Sequence, residues 1–148
     1  MLETLWRRYP TKLTRAQLGT LAGFTPSGGT FGAYFGTLKR HGLLCEAGNG
    51  DVEITPAGLT SLGREIPRTP QTTAEVLAMW QRALKKGEWR MLEALVTVHP
   101  QSLGRDELGE QTGYTVSGGT FGTYLGTLRR NGLIDVRGEQ VRASDTLF

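Results

Sequence analysis

The sequence is poor in the parts from which most chemical sites are built. It has one cysteine, Cys45, and two histidines, His41 and His99. One thiol excludes an internal disulfide, and neither histidine has a Cys or His near enough in sequence to suggest a metal site. No metal and no cofactor are expected, and a reducing, cytoplasmic compartment fits the cysteine usage. No apolar run approaches the roughly 20 residues of a membrane span. The opening MLETLWRRYP meets arginine before any signal-peptide hydrophobic stretch, so neither a membrane segment nor a secretory leader is expected. Charge of one sign is missing too. Seventeen Lys and Arg against 14 Asp and Glu leave +3, far from a strongly basic chain. The pI near 9.3 still leans toward an acidic partner such as nucleic acid.

Catalytic sets are equally incomplete. The phosphate-binding GxxxxGK[ST] pattern does not occur, and the glycines of SGGTFG lack its lysine. Asp106 and Glu107 fall at a helix start, where acids offset the dipole rather than act as an acid–base pair. Trp6, Trp80 and Trp89 read as packing anchors before base-stacking platforms. The chain is not expected to be an enzyme.

Glycine is what the sequence has in quantity, 21 residues in 148, and its placement is unusual. In SGGTFGTYLGTLRR, Ser117 to Arg130, Phe121, Leu125 and Leu128 recur at helical spacing. Four glycines interrupt them, each costing a helix interior about 1 kcal/mol relative to alanine. Ninety residues earlier stands SGGTFGAYFGTLKR, and between Ser27–Leu44 and Ser117–Ile134 thirteen of eighteen positions are identical. MLETL also falls on MLEAL, and Pro10, Leu13, Arg15, Leu18, Gly19 and Gly23 fall on Pro100, Leu103, Arg105, Leu108, Gly109 and Gly113. The same ninety-residue shift sets His41 on Asn131 and His99 on Tyr9, so Ser27 and Ser117 share no histidine base. A duplicated unit is the expectation, with only two copies and thus a tandem pair rather than a solenoid.

Each copy reads as three helices and a hairpin. Thr14 and Gln17 form a capping box for helix 2, and Gly23 and Gly113 stand where a helix ends in a left-handed turn. Helix 3 runs to about Arg40 or Arg130. Strand-like runs then flank Gly48-Asn49-Gly50 and Arg137-Gly138. Thr55 and Pro56 open a fourth short helix in the first copy alone. GREIPRTPQ, Gly63–Gln71, is a linker, followed by a helix capped by Thr72 and Glu75 whose stripe of Val76, Leu77, Trp80 and Leu84 must bury against the second copy or between copies. The expected divisions are 1–62, a connecting segment 63–86, and 87–148.

LTRAQLGTLAGFTPSGGTFGAYFGTLKRHGLL and LGRDELGEQTGYTVSGGTFGTYLGTLRRNGLI resemble the core of winged helix-turn-helix proteins. The shared features are a small residue inside helix 2, a turn glycine, an amphipathic helix 3 and a final Gly-Leu-Leu or Gly-Leu-Ile. More faintly, the repeated SGGTF resembles tandem winged-helix tails on larger bacterial and phage ATP-binding proteins. The likeness covers about two-thirds of the chain. It implies a mainly α fold with small β-hairpin wings, built as two tandem winged helix-turn-helix domains joined by a linker helix.

It also implies a double-stranded DNA partner and a role in docking or transcription regulation, with helix 3 in the major groove. Carried over by position, the contacts are Ser27, Thr30, Ala33, Thr37, Lys39 and Arg40 in the first copy. Ser117, Thr120, Thr123, Thr127, Arg129, Arg130 and the wing residues Arg137 and Arg142 serve in the second. At the groove positions, Ser27, Thr30, Ala33 and Thr37 with Ser117, Thr120, Thr123 and Thr127, there is none of the Arg, Lys, Asn or Gln that reads bases bidentately, so phosphate contact of modest specificity is expected. Two further purposes compete for the glycines. Gly28, Gly32 and Gly36 (with Gly118, Gly122 and Gly126) form a GxxxGxxxG ridge suited to a protein partner, a parent chain or self-association. The plainest reading is that Gly28 and Gly32 let helix 3 pack tightly on helix 2. Charge divides the copies, an acidic hairpin (Glu46, Asp51, Glu53) in the first against an acidic helix 2 (Asp106, Glu107, Glu110) in the second.

Overall fold

A computed structural model of the chain describes residues 1–65 and 72–148; part of the expected linker, 66–71, lies outside the described residues. The fold is mainly helical, with two small antiparallel sheets. The chain forms two compact units that divide between Gln71 and Thr72.

The first unit runs α1 (Leu2–Arg8), α2 (Arg15–Ala22), α3 (Gly29–Arg40), a hairpin of β1 (Leu44–Glu46) and β2 (Val52–Ile54), and α4 (Pro56–Leu62). Thr14 caps α2 through a reciprocal box with Gln17, and Gly23 ends it at φ +78°. Thr55 Oγ1 accepts the Gly58 N–H at 3.0 Å, with Pro56 at the first position of α4. The hairpin pairs Leu44 with Ile54 and Glu46 with Val52, and Gly50 takes the left-handed turn position at φ +86°. Leu5, Leu18, Phe31, Phe35, Leu44 and Val52 make the core.

The second unit runs α5 (Thr73–Ala83), α6 (Lys86–Val98), β3 (Leu103–Gly104), α7 (Arg105–Thr112), α8 (Gly119–Arg130), β4 (Ile134–Arg137), β5 (Gln140–Ala143) and a 3-10 turn at Asp145–Leu147. Thr72 and Glu75 box the start of α5, which packs on α6 and on the terminal 3-10 turn with Trp80 buried. The core is Met91, Leu92, Leu95, Leu108, Phe121, Leu128, Leu133 and Val141. Among the described residues, no helix is long and apolar enough to cross a membrane.

Sequence patterning misses one strand. Leu103 and Gly104 pair with Val141 and Gln140, which makes the second sheet three-stranded in the order β3-β5-β4. The first unit keeps the same feature as a single bridge between Leu13 and Val52, with N–H···O distances of 3.0 and 2.7 Å. Two residues are too few to display alternation, so only the partner strand reveals them.

The glycines of α3 and α8 do not serve helix packing. A Cβ placed at Gly29, Gly32, Gly36, Gly119, Gly122 or Gly126 would meet nothing within 4 Å. A Cβ placed at Gly28 or Gly118 would fall 3.1 or 3.0 Å from the carbonyl oxygen of Thr25 or Thr115 in its own turn, and would meet nothing of helix 2 within 4 Å. The expectation that Gly28 and Gly32 seat helix 3 on helix 2 is therefore corrected. Between helices 2 and 3, the close-packed glycines are those of helix 2. A Cβ at Gly19 would fall 2.6 Å from Pro26 Cγ, and one at Gly109 would fall 2.7 Å from Val116 Cγ2.

Stability should separate the two sets. Gly32→Ala and Gly122→Ala are expected to stabilise by about 0.5–1 kcal/mol each, since a helix former replaces glycine in open space. Gly109→Ala is expected to destabilise by about 1–3 kcal/mol through overpacking. Urea unfolding midpoints check both; a midpoint lowered by the alanine at Gly32 would mean that this side of α3 is occupied.

Candidate nucleic-acid interface

The side of α3 away from the core follows from its sequence. Phe31 and Phe35 turn inward and are buried, while Gly29, Thr30, Gly32, Ala33, Thr37, Lys39 and Arg40 are exposed. In α8, Phe121, Leu125 and Leu128 are buried, and Gly119, Thr120, Gly122, Thr123, Arg129 and Arg130 are exposed; Thr127 is half-buried. Each outer side is thus nearly smooth, with hydroxyls and a basic end. Ser27 and Ser117 stand exposed just before the two helices. Neither helix has a side-chain cap, in contrast to α2, α4 and α5. Their first-turn N–H groups point toward whatever approaches that end.

One arrangement recurs in both units and escapes sequence reading. Arg40 donates to Thr37 Oγ1 at 3.2 Å, and Thr37 donates to the Ala33 carbonyl at 2.9 Å. Arg130 donates to Thr127 Oγ1 at 3.3 Å, and Thr127 donates to the Thr123 carbonyl at 3.2 Å. A threonine bonded back to its own helix therefore holds each guanidinium along the outer side. Among the described residues neither arginine has an ion-pair partner, nor has Arg129. Thr123 likewise bonds back, to Gly119 O at 2.8 Å.

The remaining cations differ. Lys39 is bound to the Glu46 carboxylate of β1, which Arg15 also approaches at 3.4 Å. Lys12 pairs with Glu53 at 3.3 Å. The hairpin acids Glu46 and Glu53 are therefore matched by the unit's own cations, and those cations are committed in turn. In the second hairpin Arg137 is exposed at the turn, while Arg142 is half-buried between Asp135 and Asp145 at 3.3 and 3.1 Å. Of the two wing arginines, only Arg137 stands free. Glu107 has the capping role expected of a helix-start acid, accepting the Gly104 N–H at 2.9 Å. Asp106 and Glu110 rim an open cleft between α7 and the start of α8 that includes Ser117, so an anion approaching Ser117 meets negative charge.

Tyr34 lies between Phe31 and Phe35, both buried, yet it does not share their burial. It is 55% exposed and meets Phe24 edge-on, ring centroids 5.7 Å apart. Position on a helical wheel could not separate it from Phe31, because its cover depends on what packs beside the helix.

No family model, no curated protein and no solved structure matches the chain. The functional reading therefore rests on the residues themselves.

The Glu46 carboxyl is held below its ordinary value, first by the hydrogen bond from Lys39, with the charges of Lys39 and Arg15 adding to it. A depressed folded-state pKa stabilises above the unfolded value and loses that contribution as pH falls through the folded one. Glu46 is expected to titrate below 4.5 by carbon-detected NMR, and Lys39→Met to move it upward. An unchanged titration in Lys39→Met would show that the pair is not formed.

Proposed function

We propose that the chain is a tandem winged-helix module that binds double-stranded DNA with modest sequence specificity, mainly through phosphates. The outer sides of α3 and α8 would face the duplex, with Arg137 of the second hairpin beside the backbone. The observation that carries the reading is the repeated pairing of an open, glycine-lined helix side with an arginine braced by a threonine. Bare backbone permits close approach, the uncapped start of α3 favours an anion, and a fixed guanidinium suits a phosphate oxygen. Glycine here gives up about 1 kcal/mol of helix stability per position without relieving any clash, which suits a benefit gained in binding. Both sequence copies make the same concession.

The units would contribute unequally. On α8 and its hairpin, Arg129, Arg130 and Arg137 have no ion-pair partner among the described residues; on α3 Arg40 has none, while Lys39 and the neighbouring Arg15 are engaged by Glu46. The first turns of both helices present only Ser, Thr, Ala and Gly outward, with the arginines confined to the C-terminal ends, which favours affinity without sharp sequence choice.

Gel shifts on random duplex DNA across a salt series test the proposal. Wild type is expected to weaken steeply with salt, and Arg40→Ala/Arg130→Ala to flatten the logarithmic slope by about 2, near 0.9 per lost phosphate contact. Glu46→Gln is expected to tighten binding by releasing Lys39 and Arg15. No binding at low salt would overturn the proposal and leave the protein-adaptor reading, which loss of a complex in Gly36→Leu/Gly126→Leu would favour.

A further inference from the structure

From Arg82 to Arg90 the chain holds four cations and one acid. Arg82, Lys85, Lys86 and Arg90 are all exposed, and among the described residues none of them has an ion-pair partner. The acid, Glu88, is buried and accepts the Lys85 N–H at 2.9 Å, so its carboxylate closes the start of α6 instead of pairing with them. The basic run of the first unit, Arg7 to Arg15, is different. Its exposed cations are each paired, Arg7 with Glu3, Lys12 with Glu53 and Arg15 with Glu46.

Two of the four have a role within the fold. Arg82 lies in the last turn of α5 and Lys85 just beyond its end, where cations offset the helix dipole. Lys86 and Arg90 have no such account. Lys86 opens α6, the end of a helix at which positive charge is unfavourable, and Arg90 stands one turn later on the same side.

Tertiary packing sets this pair beside α8. A Cβ at buried Gly87 would fall 2.6 Å from Tyr124 Cζ and 2.8 Å from Tyr114 Oη, so the first turn of α6 rests directly on both rings. The rings meet edge to face, with centroids 5.3 Å apart at 80°. Tyr124 belongs to α8 and stands on its flank, with Thr120 and Thr127 as its neighbours four and three residues away. Arg129, five residues on, falls on the other flank. Asp106 and Glu110 of the neighbouring cleft, which Tyr114 also lines, pair with neither Lys86 nor Arg90.

We propose that Lys86 and Arg90 are a further phosphate contact of the second unit, holding the DNA strand on the Tyr124 flank of α8 while Arg129 and Arg137 hold the strand on the other. The inference rests on the reading of α8 as a duplex-facing helix and adds the second strand to it, since a helix in the major groove lies between two phosphate chains. Gly87 is what fixes the distance: with backbone seated on Tyr124, the two cations are carried by a packed turn of helix beside the outer side.

Gel shifts of the full chain on random duplex DNA across a salt series test it. Lys86→Gln/Arg90→Gln is expected to flatten the logarithmic salt slope by about 2, near 0.9 per lost contact, and Lys86→Arg/Arg90→Lys to keep the wild-type slope. The melting temperature of the glutamine variant is expected to equal or exceed that of wild type, since a cation leaves a helix start. In the saturated complex Lys86 is expected to resist acetylation, read residue by residue by mass spectrometry. A wild-type slope in the glutamine variant, or Lys86 acetylated as readily in the complex as in the free chain, would overturn this contact and leave the DNA reading standing. A slope flattened equally by the charge-conserving variant would also sink it. No wild-type binding at low salt would remove both.

Discussion

Burial along one side of α3 and α8 is what allows their other side to be bare. By intrinsic propensity these are poor helices, and in isolation their glycines would favour the unfolded chain. Phe31 is 1% exposed and Phe121 1%, and each such side chain contributes about 1.5–3 kcal/mol on burial. That exceeds the roughly 1 kcal/mol lost at each interior glycine, so the tertiary core forms the helix and leaves the outer side free to be smooth. The close-packing requirement falls on helix 2, where Gly19 and Gly109 sit under Pro26 and Val116. The two sets of glycines differ in kind: those of helix 2 sit where a side chain would clash, and those within helix 3 border open space.

Electrostatics then makes the units unlike despite their shared helix. In the first, Glu46 draws Lys39 and Arg15 toward the hairpin, and Lys12 neutralises Glu53. This hairpin is nearly self-compensated, leaving Arg40 as the cation presented on α3. In the second, Val136 stands where the hairpin could have carried such an acid, and Arg129 remains unpaired. The acids there have moved to α7, with Asp106 and Glu110 at the cleft beside Ser117. On α8 the unpaired positive charge therefore lies at the C-terminal end and the negative charge near the start. Arg142 has a structural part, tying Asp135 of β4 to Asp145 of the terminal turn.

Much of this was legible in the chain. The capping boxes at Thr14 and Thr72, the left-handed glycines at positions 23 and 113, the hairpins and the Thr55-Pro56 helix start were all readable, because each depends on residues within a few positions of one another. The inward side of helix 3 was readable from spacing. Illegible were β3, whose two residues show no period, the exposure of Tyr34, and the engagement of Lys39 by Glu46.

The boundary between the two has a physical cause. Local backbone chemistry, the apolar period and the ninety-residue repeat are properties of sequence neighbours, and they determined which segments became helices and which side of each was buried. Whether a glycine relieves a clash or opens a surface, whether an arginine is free or tied, and whether an aromatic ring is covered depend on residues far away in the chain. Those were decided only when the fold brought Val116 to Gly109, Glu46 to Lys39, and Gly87 to Tyr124.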